Sequence, residues 1–210
     1  MIHKMLLLML ICLGAPAAAQ APTATPVPAP AAAPRTVAVR IHTNAGDIVA
    51  AIEVERAPIT AANFLHYVDT RRLDGAEFYR AMHTAANAGL IQGGVRDSSK
   101  LFPPIAHEPT SQTGLSHVDG ALSAPRFALG TARGDFTIMI GDQLYLDAGP
   151  GSAGDGGGYA VFGRVIEGMD VVRTILGAPT SPTEGEGVMR GQMLSPRVHI
   201  LTARRVPPPR

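Results

Sequence analysis

From Val37 to Val54 the chain is written in a two-residue period. Val37, Val39 and Ile41 alternate with Ala38, Arg40 and His42; Asn44-Ala45-Gly46 supplies turn chemistry; Ile48, Ala50, Ile52 and Val54 alternate again. Successive side chains of a strand point to opposite faces, so the pattern predicts a β-hairpin with one buried face. An isolated hairpin is barely stable in water, so further strands must cover that face. Candidates are Glu77–Met82, Gly89–Val95, Gly120–Ser123, Asp135–Ile140, Ala160–Ile166 and Arg197–Arg204. Two segments break the pattern. Ala61, Phe64, Leu65 and Val68 follow a helical spacing after Pro58 and predict a helix ending near Thr70. Met169–Leu176 predicts a second, with Val172 and Ile175 inward. Eight short strands and two helices place the chain in the mainly β class, as a sandwich or a barrel.

The N-terminus reads differently. Lys4 precedes an apolar run from Met5 to Leu13, and small residues follow up to Ala21. This is the pattern of a cleaved secretory signal over residues 1–21, and the run is too short to span a membrane. Membrane contact is expected only if that segment is retained. Residues 22–35, PTATPVPAPAAAPR, have the composition of an extended tether, and the folded domain is expected over 36–206 with a tail at 207–210. The sole cysteine, Cys12, falls in the leader, so the mature domain is expected to contain no thiol chemistry. Of 18 basic residues only Lys4 lies in the leader, leaving 17 basic against 17 acidic. Nucleic-acid binders carry a basic excess, so this balance argues against that partner. Gly149–Gly158 lacks the ending of a phosphate loop and is expected to be a flexible loop. His107-Glu108 is expected on the solvated surface, since no ligand set accompanies it.

Four segments, in order, carry a family resemblance. Thr43-Asn44-Ala45-Gly46-Asp47-Ile48 leads to Pro58 and Asn63-Phe64; Asp74-Gly75-Ala76-Glu77-Phe78-Tyr79-Arg80 follows; then Ile91-Gln92-Gly93-Gly94; then Leu146-Asp147 and Val161-Phe162-Gly163-Arg164-Val165-Ile166-Glu167-Gly168-Met169. Together they resemble the cyclophilin family of peptidyl-prolyl cis/trans isomerases, over about residues 37–203. The resemblance implies a closed eight-stranded antiparallel β-barrel capped by two α-helices. Arg80 and Gln92 stand twelve positions apart. That interval is longer than in compact members and is similar to some exported bacterial ones. Ala106–Thr110, Thr113–Leu115, Asp119–Ser123 and Gly141–Gln143 also resemble that subgroup.

A prolyl amide rotates slowly because twisting it breaks resonance, at about 18–20 kcal/mol. The twisted nitrogen has a localised lone pair, so a fixed donor binds the transition state better than the planar amide. No bond to another atom forms, so no metal or cofactor is expected. By resemblance Arg80 is the donor and Gln92 orients it and the substrate carbonyl. Leu90, Arg126, Phe127, Asp135, Phe136, Thr137, Tyr145, Leu146 and Tyr159 are expected to line the proline site. The expected partners are unfolded or proline-containing polypeptides outside the cytoplasm, in the periplasm, met by a monomer. Two positions depart from the family pattern: Gly89 and Thr137 fall where large aromatics are usual. Losing a buried ring at about 25 cal/mol per Å² weakens binding by about 1 kcal/mol or more. Phe127, Tyr145 and Tyr159 are the candidate replacements. A non-catalytic binding or chaperone module is therefore the competing reading, and a structural envelope protein held by an uncleaved anchor is a third.

Overall fold

The computed structural model describes residues 34–152 and 154–208, so residues 1–21, nearly all of 22–35 and the end of the tail lie outside the described residues. The chain begins with β1 (Val37–Thr43), β2 (Gly46–Ile52) and α1 (Pro58–Asp69). Next come β3 (Glu77–Ala85), β4 (Ala88–Gly94), the one-turn α2 (Thr110–Thr113), β5 (Ala121–Ala124) and β6 (Asp135–Ile140). β7 (Ala160–Glu167), α3 (Met169–Leu176), β8 (Thr180–Ser181) and β9 (Met193–Arg205) complete it. The sheet runs β1-β2-β7-β5-β6-β4-β3-β9, every pair antiparallel, and β9 pairs back onto β1. The eight expected strands thus close a barrel. Two-residue β8 and one-turn α2 were not expected, and β9 starts earlier than the predicted Arg197 because Met193 and Leu194 pair with β8.

Alternation sorts the side chains. Val39, Ile41, Ile48, Ala50 and Ile52 of the first hairpin enter the barrel core. Three rings stack at its centre: Phe64 of α1 meets Phe136 edge-on at 5.4 Å, and Phe78 meets the same ring at 5.4 Å. α1 packs against β7 and β9, and α3 against β2, β3, β4 and β6. α3 begins after Gly168 at φ 88°, where a Cβ would lie 2.2 Å from the Asp47 carbonyl oxygen. Only glycine serves there.

α1 opens on Ala57, which offers no capping side chain. Its exposed amides are met from elsewhere in the chain. Glu108, 1% exposed, accepts from Ile59 N at 3.0 Å, Thr60 N at 2.6 Å and Thr60 Oγ1 at 2.7 Å. A carboxylate at a helix N-terminus answers both the unpaired N–H groups and the helix dipole. Glu108 is therefore a buried cap, which corrects the surface reading of His107-Glu108; His107 binds the Gly157 carbonyl. Glu108→Gln keeps the shape but turns an NH2 toward backbone donors. It is expected to cost about 1.5–3 kcal/mol, read as an earlier urea midpoint at unchanged m-value.

Candidate active site

β3, β4, β6 and β5 lie side by side, and one transverse register row crosses them. Arg80 pairs with Gln92, Gln92 with Thr137, and Thr137 with Ser123. A period of two puts these side chains on the same outer face of the barrel wall. The row forms the floor of a groove of about 1120 Å³. Among its lining residues are Arg80, Leu90, Gln92, Arg126, Phe127, Asp135, Thr137, Tyr145, Leu146 and Tyr159. Ten of the eleven sequence-predicted site residues therefore come together.

Phe136 is the exception. It is 1% exposed and sits in the core between Phe64 and Phe78. Its neighbours Asp135 and Thr137 face the groove, so the pleat turns Phe136 inward. Its expected role in substrate binding is corrected to a core role.

Arg80 is held by three partners. Nε donates to Gln192 Oε1 at 2.8 Å, Nη1 to Gln92 Oε1 at 3.0 Å, and Nη2 to Met82 Sδ at 3.3 Å. The first two are good amide acceptors and the thioether is a weak one. Nη2 is therefore the nitrogen left available. Burial pushes the Arg80 pKa down from its ordinary value, yet a guanidinium stays charged at physiological pH. In this drier setting its hydrogen bonds are strengthened.

A directional chain fixes Gln92. Arginine has no acceptor, so Gln92 must turn Oε1 toward it, leaving Nε2 for Tyr79. Nε2 donates to the Tyr79 hydroxyl at 2.6 Å, and Tyr79 donates its one proton to Asp135 Oδ2 at 2.8 Å. Burial, then the nearby Asp135 carboxylate, push the Tyr79 pKa up; burial also raises that of Asp135. Asp135 lines the groove, but one of its oxygens serves this chain. The Arg96 guanidinium lies over the Tyr79 ring at 4.5 Å. Tyr79→Phe removes the hydroxyl to which Gln92 Nε2 donates, leaving the Asp135 carboxylate as its neighbouring acceptor, and loosens the amide. It is expected to lower kcat about tenfold with KM little changed, as separate kcat and KM values would show.

The apolar wall is a second cluster outside the barrel core: Leu90, Ala121, Met139, Leu146 and Val161, with Met82, Leu115 and Tyr159 packed on it. Gly89 contributes nothing and has no room to do so. Its φ is +155°, and a Cβ there would lie 1.9 Å from the Met82 carbonyl oxygen. The longer β3–β4 hairpin pairs Met82 with Leu90, which places Met82 on the wall. Of the candidate replacement aromatics, Tyr159 packs on this wall, Tyr145 is 42% exposed, and Phe127 is 97% exposed at the rim. Phe127 therefore forms no packed wall.

Arg126 is committed internally. It forks onto Asp155 at 2.8 and 2.6 Å and donates to the Gly158 carbonyl at 2.9 and 2.7 Å. The pairing holds Asp155 down to about 2. Arg126 thus fastens the glycine-rich segment beside the groove, which His107 also holds at Gly157, so its second half is tied rather than flexible. Behind the floor, His117 Nδ1 lies 2.6 Å from Asp147 Oδ1 and Nε2 lies 2.8 Å from Ser123 Oγ. Burial lowers the His117 pKa and favours the neutral ring. At 1% exposure Ser123 presents no surface to a carbonyl, so this chain braces the floor.

Four contributors were not assigned from sequence. Tyr79 stood in the motif beside Arg80, and Met82 shares Arg80's face by alternation; either signal was available. Gln192 and Met193 come from a segment over a hundred residues away, and nothing local marks them.

Comparison with known proteins agrees with this geometry. The family model described as cyclophilin type peptidyl-prolyl cis-trans isomerase/CLD matches residues 38–203. A peptidyl-prolyl cis-trans isomerase of Acinetobacter baylyi is 35% identical over 148 residues, covering 68% of this chain and 73% of that one. Peptidyl-prolyl cis-trans isomerase B of Escherichia coli is 35% identical over 147 residues, covering 68% and 85%. The crystal structure of a Cryptosporidium parvum cyclophilin type isomerase superposes with a TM-score of 0.66 at 19% identity, over 83% of this chain and 100% of that one. A second structure of that protein, in the presence of the dipeptide Ala-Pro, gives 0.64 at 19% identity, over 81% and 99%. Motifs, closed barrel and relatives converge, and the chain belongs to the cyclophilin-type peptidyl-prolyl cis-trans isomerases.

Proposed function

We propose that this isomerase acts on Xaa-Pro bonds of exported polypeptides in the periplasm, as a monomer, and assists their folding. Arg80 is its catalytic donor. One observation carries the reading: two guanidinium nitrogens of Arg80 are tied to amide oxygens, while the hydrogen-bond partner of Nη2 among the described residues is the thioether of Met82, which packs on the apolar wall. The proline ring lies on the wall formed by Met82, Leu90 and Leu146. As the amide twists, its nitrogen pyramidalises and the lone pair accepts from Nη2. The planar amide has no such acceptor, so the bond exists only at the top of the barrier and lowers it. Gln92 and Gln192 orient the guanidinium beforehand, so little reorganisation accompanies the twist. Thr137 gives the floor a hydroxyl where a ring is usual, so proline is held less tightly and KM is expected to be high.

The test is exchange NMR on a short Xaa-Pro peptide with a catalytic amount of the protein. Uncatalysed exchange takes about 10–100 s, so acceleration is read directly. A folded protein that binds the peptide without accelerating exchange would favour the binding-module reading, which Gly89 and Thr137 motivate. Export rests on the composition of residues 1–21. Mass spectrometry of the protein recovered from the periplasm is expected to show a new N-terminus near residue 20 or 22; an intact Met1 there would support the anchored reading.

A further inference from the structure

Arg80 Nη2 is left available only because its neighbour is a poor acceptor. Met82 Sδ lies 3.3 Å from it. Met82 is half-buried and lines the groove, so a small solute that reaches Arg80 also reaches this sulfur. A thioether is also the one group at the site that mild oxidants convert, and the product is polar and chiral. We propose that Met82 is a redox-modification site, at which oxidation to the sulfoxide captures Arg80 Nη2 and stops isomerisation. The inference rests on the reading of Arg80 as donor.

The co-reactant is a hydroperoxide. A sulfur lone pair of Met82 attacks one peroxide oxygen, the O–O bond breaks and an S–O bond forms. The departing hydroxide or alkoxide takes the peroxide proton and leaves as water or alcohol. Sulfur loses two electrons and the peroxide gains them. The new oxygen carries much of the S–O dipole and sits beside a guanidinium that already faces the sulfur. A hydrogen bond from a charged donor to such an oxygen is about twice as strong as a neutral one. Each guanidinium nitrogen then has an oxygen acceptor; Nη2 keeps a second N–H, but the fork is drawn toward the sulfoxide, and the amide nitrogen of the substrate must compete with it for Nη2. Thiol-dependent methionine sulfoxide reductases return the thioether, so the change is reversible.

Position selects Met82. Met139 also lines the groove but is 1% exposed. Met189 and Met193 line it without bonding Arg80. Hydrogen peroxide is applied to the full chain, and each methionine's sulfoxide occupancy is read by peptide mass spectrometry. Exchange NMR gives the rate, and every variant is compared with its own untreated rate. Wild type is expected to lose about tenfold or more, in step with Met82 occupancy, and to recover after sulfoxide reductase. Met82→Leu is expected to keep its own rate through the same treatment. Met82→Gln, which brings an amide oxygen to the same place, is expected to be slow before treatment and indifferent to it. Full conversion of Met82 without loss of rate would overturn the proposal. So would Met82→Leu failing in step with wild type, or Met82 staying reduced while Met189 and Met193 convert. Untreated wild type without any acceleration would instead strike the reading of Arg80.

Discussion

Arg80→Ala is expected to lower kcat/KM on a Xaa-Pro peptide by about 10²–10³-fold, the cost of removing one preorganised donor from a transition state. The protein should stay folded, because Arg80 belongs to the groove and not to the core cluster. Removal leaves the oxygens of half-buried Gln192 and buried Gln92 without this partner, at a cost of about 1–3 kcal/mol, while Gln92 Nε2 keeps its bond to the Tyr79 hydroxyl. Arg80→Lys separates charge from geometry. An ammonium keeps the charge but is a point donor on a flexible stem, and it does not span Gln92, Gln192 and the substrate together. Most of the loss is therefore expected to persist in the lysine variant. Exchange NMR beside thermal melts decides it: near-wild-type rates in folded Arg80→Ala would remove Arg80 from the mechanism. A full rescue by lysine would reduce its role to charge alone.

Legibility in the sequence followed the range of the interactions. The eight strands that close the barrel announce themselves through a period of two, and α1 and α3 through i, i+3 and i+4, because burial on one face is a local constraint. β8 escaped because two residues between glycine- and proline-bearing turns carry no period; the bond pattern of β9 alone makes them a strand. Barrel closure, β9 onto β1, joins the two ends of the domain, and only the family resemblance anticipated it. The site divides in the same way. Arg80 and Gln92 are cross-strand neighbours twelve residues apart and sit in recognisable motifs. Gln192, which fixes the other side of the guanidinium, is 112 residues away. The missing aromatic at Gly89 has a cause that the sequence does not display. Counting back from Gln92 assigns it an aromatic's position, but the longer hairpin folds the Met82 carbonyl into the space a side chain would need. The wall is then supplied by Met82 from the opposite strand. Glu108 was misread because a carboxylate beside a histidine reads as surface, whereas its donors lie forty-eight and forty-nine residues upstream.

Phe136 and Thr137 are adjacent residues expected to fail in opposite ways. Phe136→Ala removes a ring packed edge-on against both Phe64 and Phe78 at 5.4 Å. Phe→Ala in a core typically costs about 3–5 kcal/mol, through lost burial and the cavity left behind. The two ring contacts each add about 0.5–1.5 kcal/mol within that figure. A domain with the usual 5–15 kcal/mol of stability then sits close to its limit. Phe136→Leu, which retains part of the volume, keeps the test usable if the alanine variant does not fold. Chemical denaturation should show the lowered midpoint, while the KM of the folded fraction stays near wild type, because the ring never reaches the groove. Thr137→Ala is expected to do the reverse. Its side chain faces the groove and donates only to the Ser123 carbonyl at 3.1 Å, so stability should fall by about 1 kcal/mol while KM moves. A Phe136 variant with a raised KM and an unchanged midpoint would mean that the ring swings outward to meet proline. The barrel wall would then be a moving part of the site, and the pleat would no longer assign residues to one side of it.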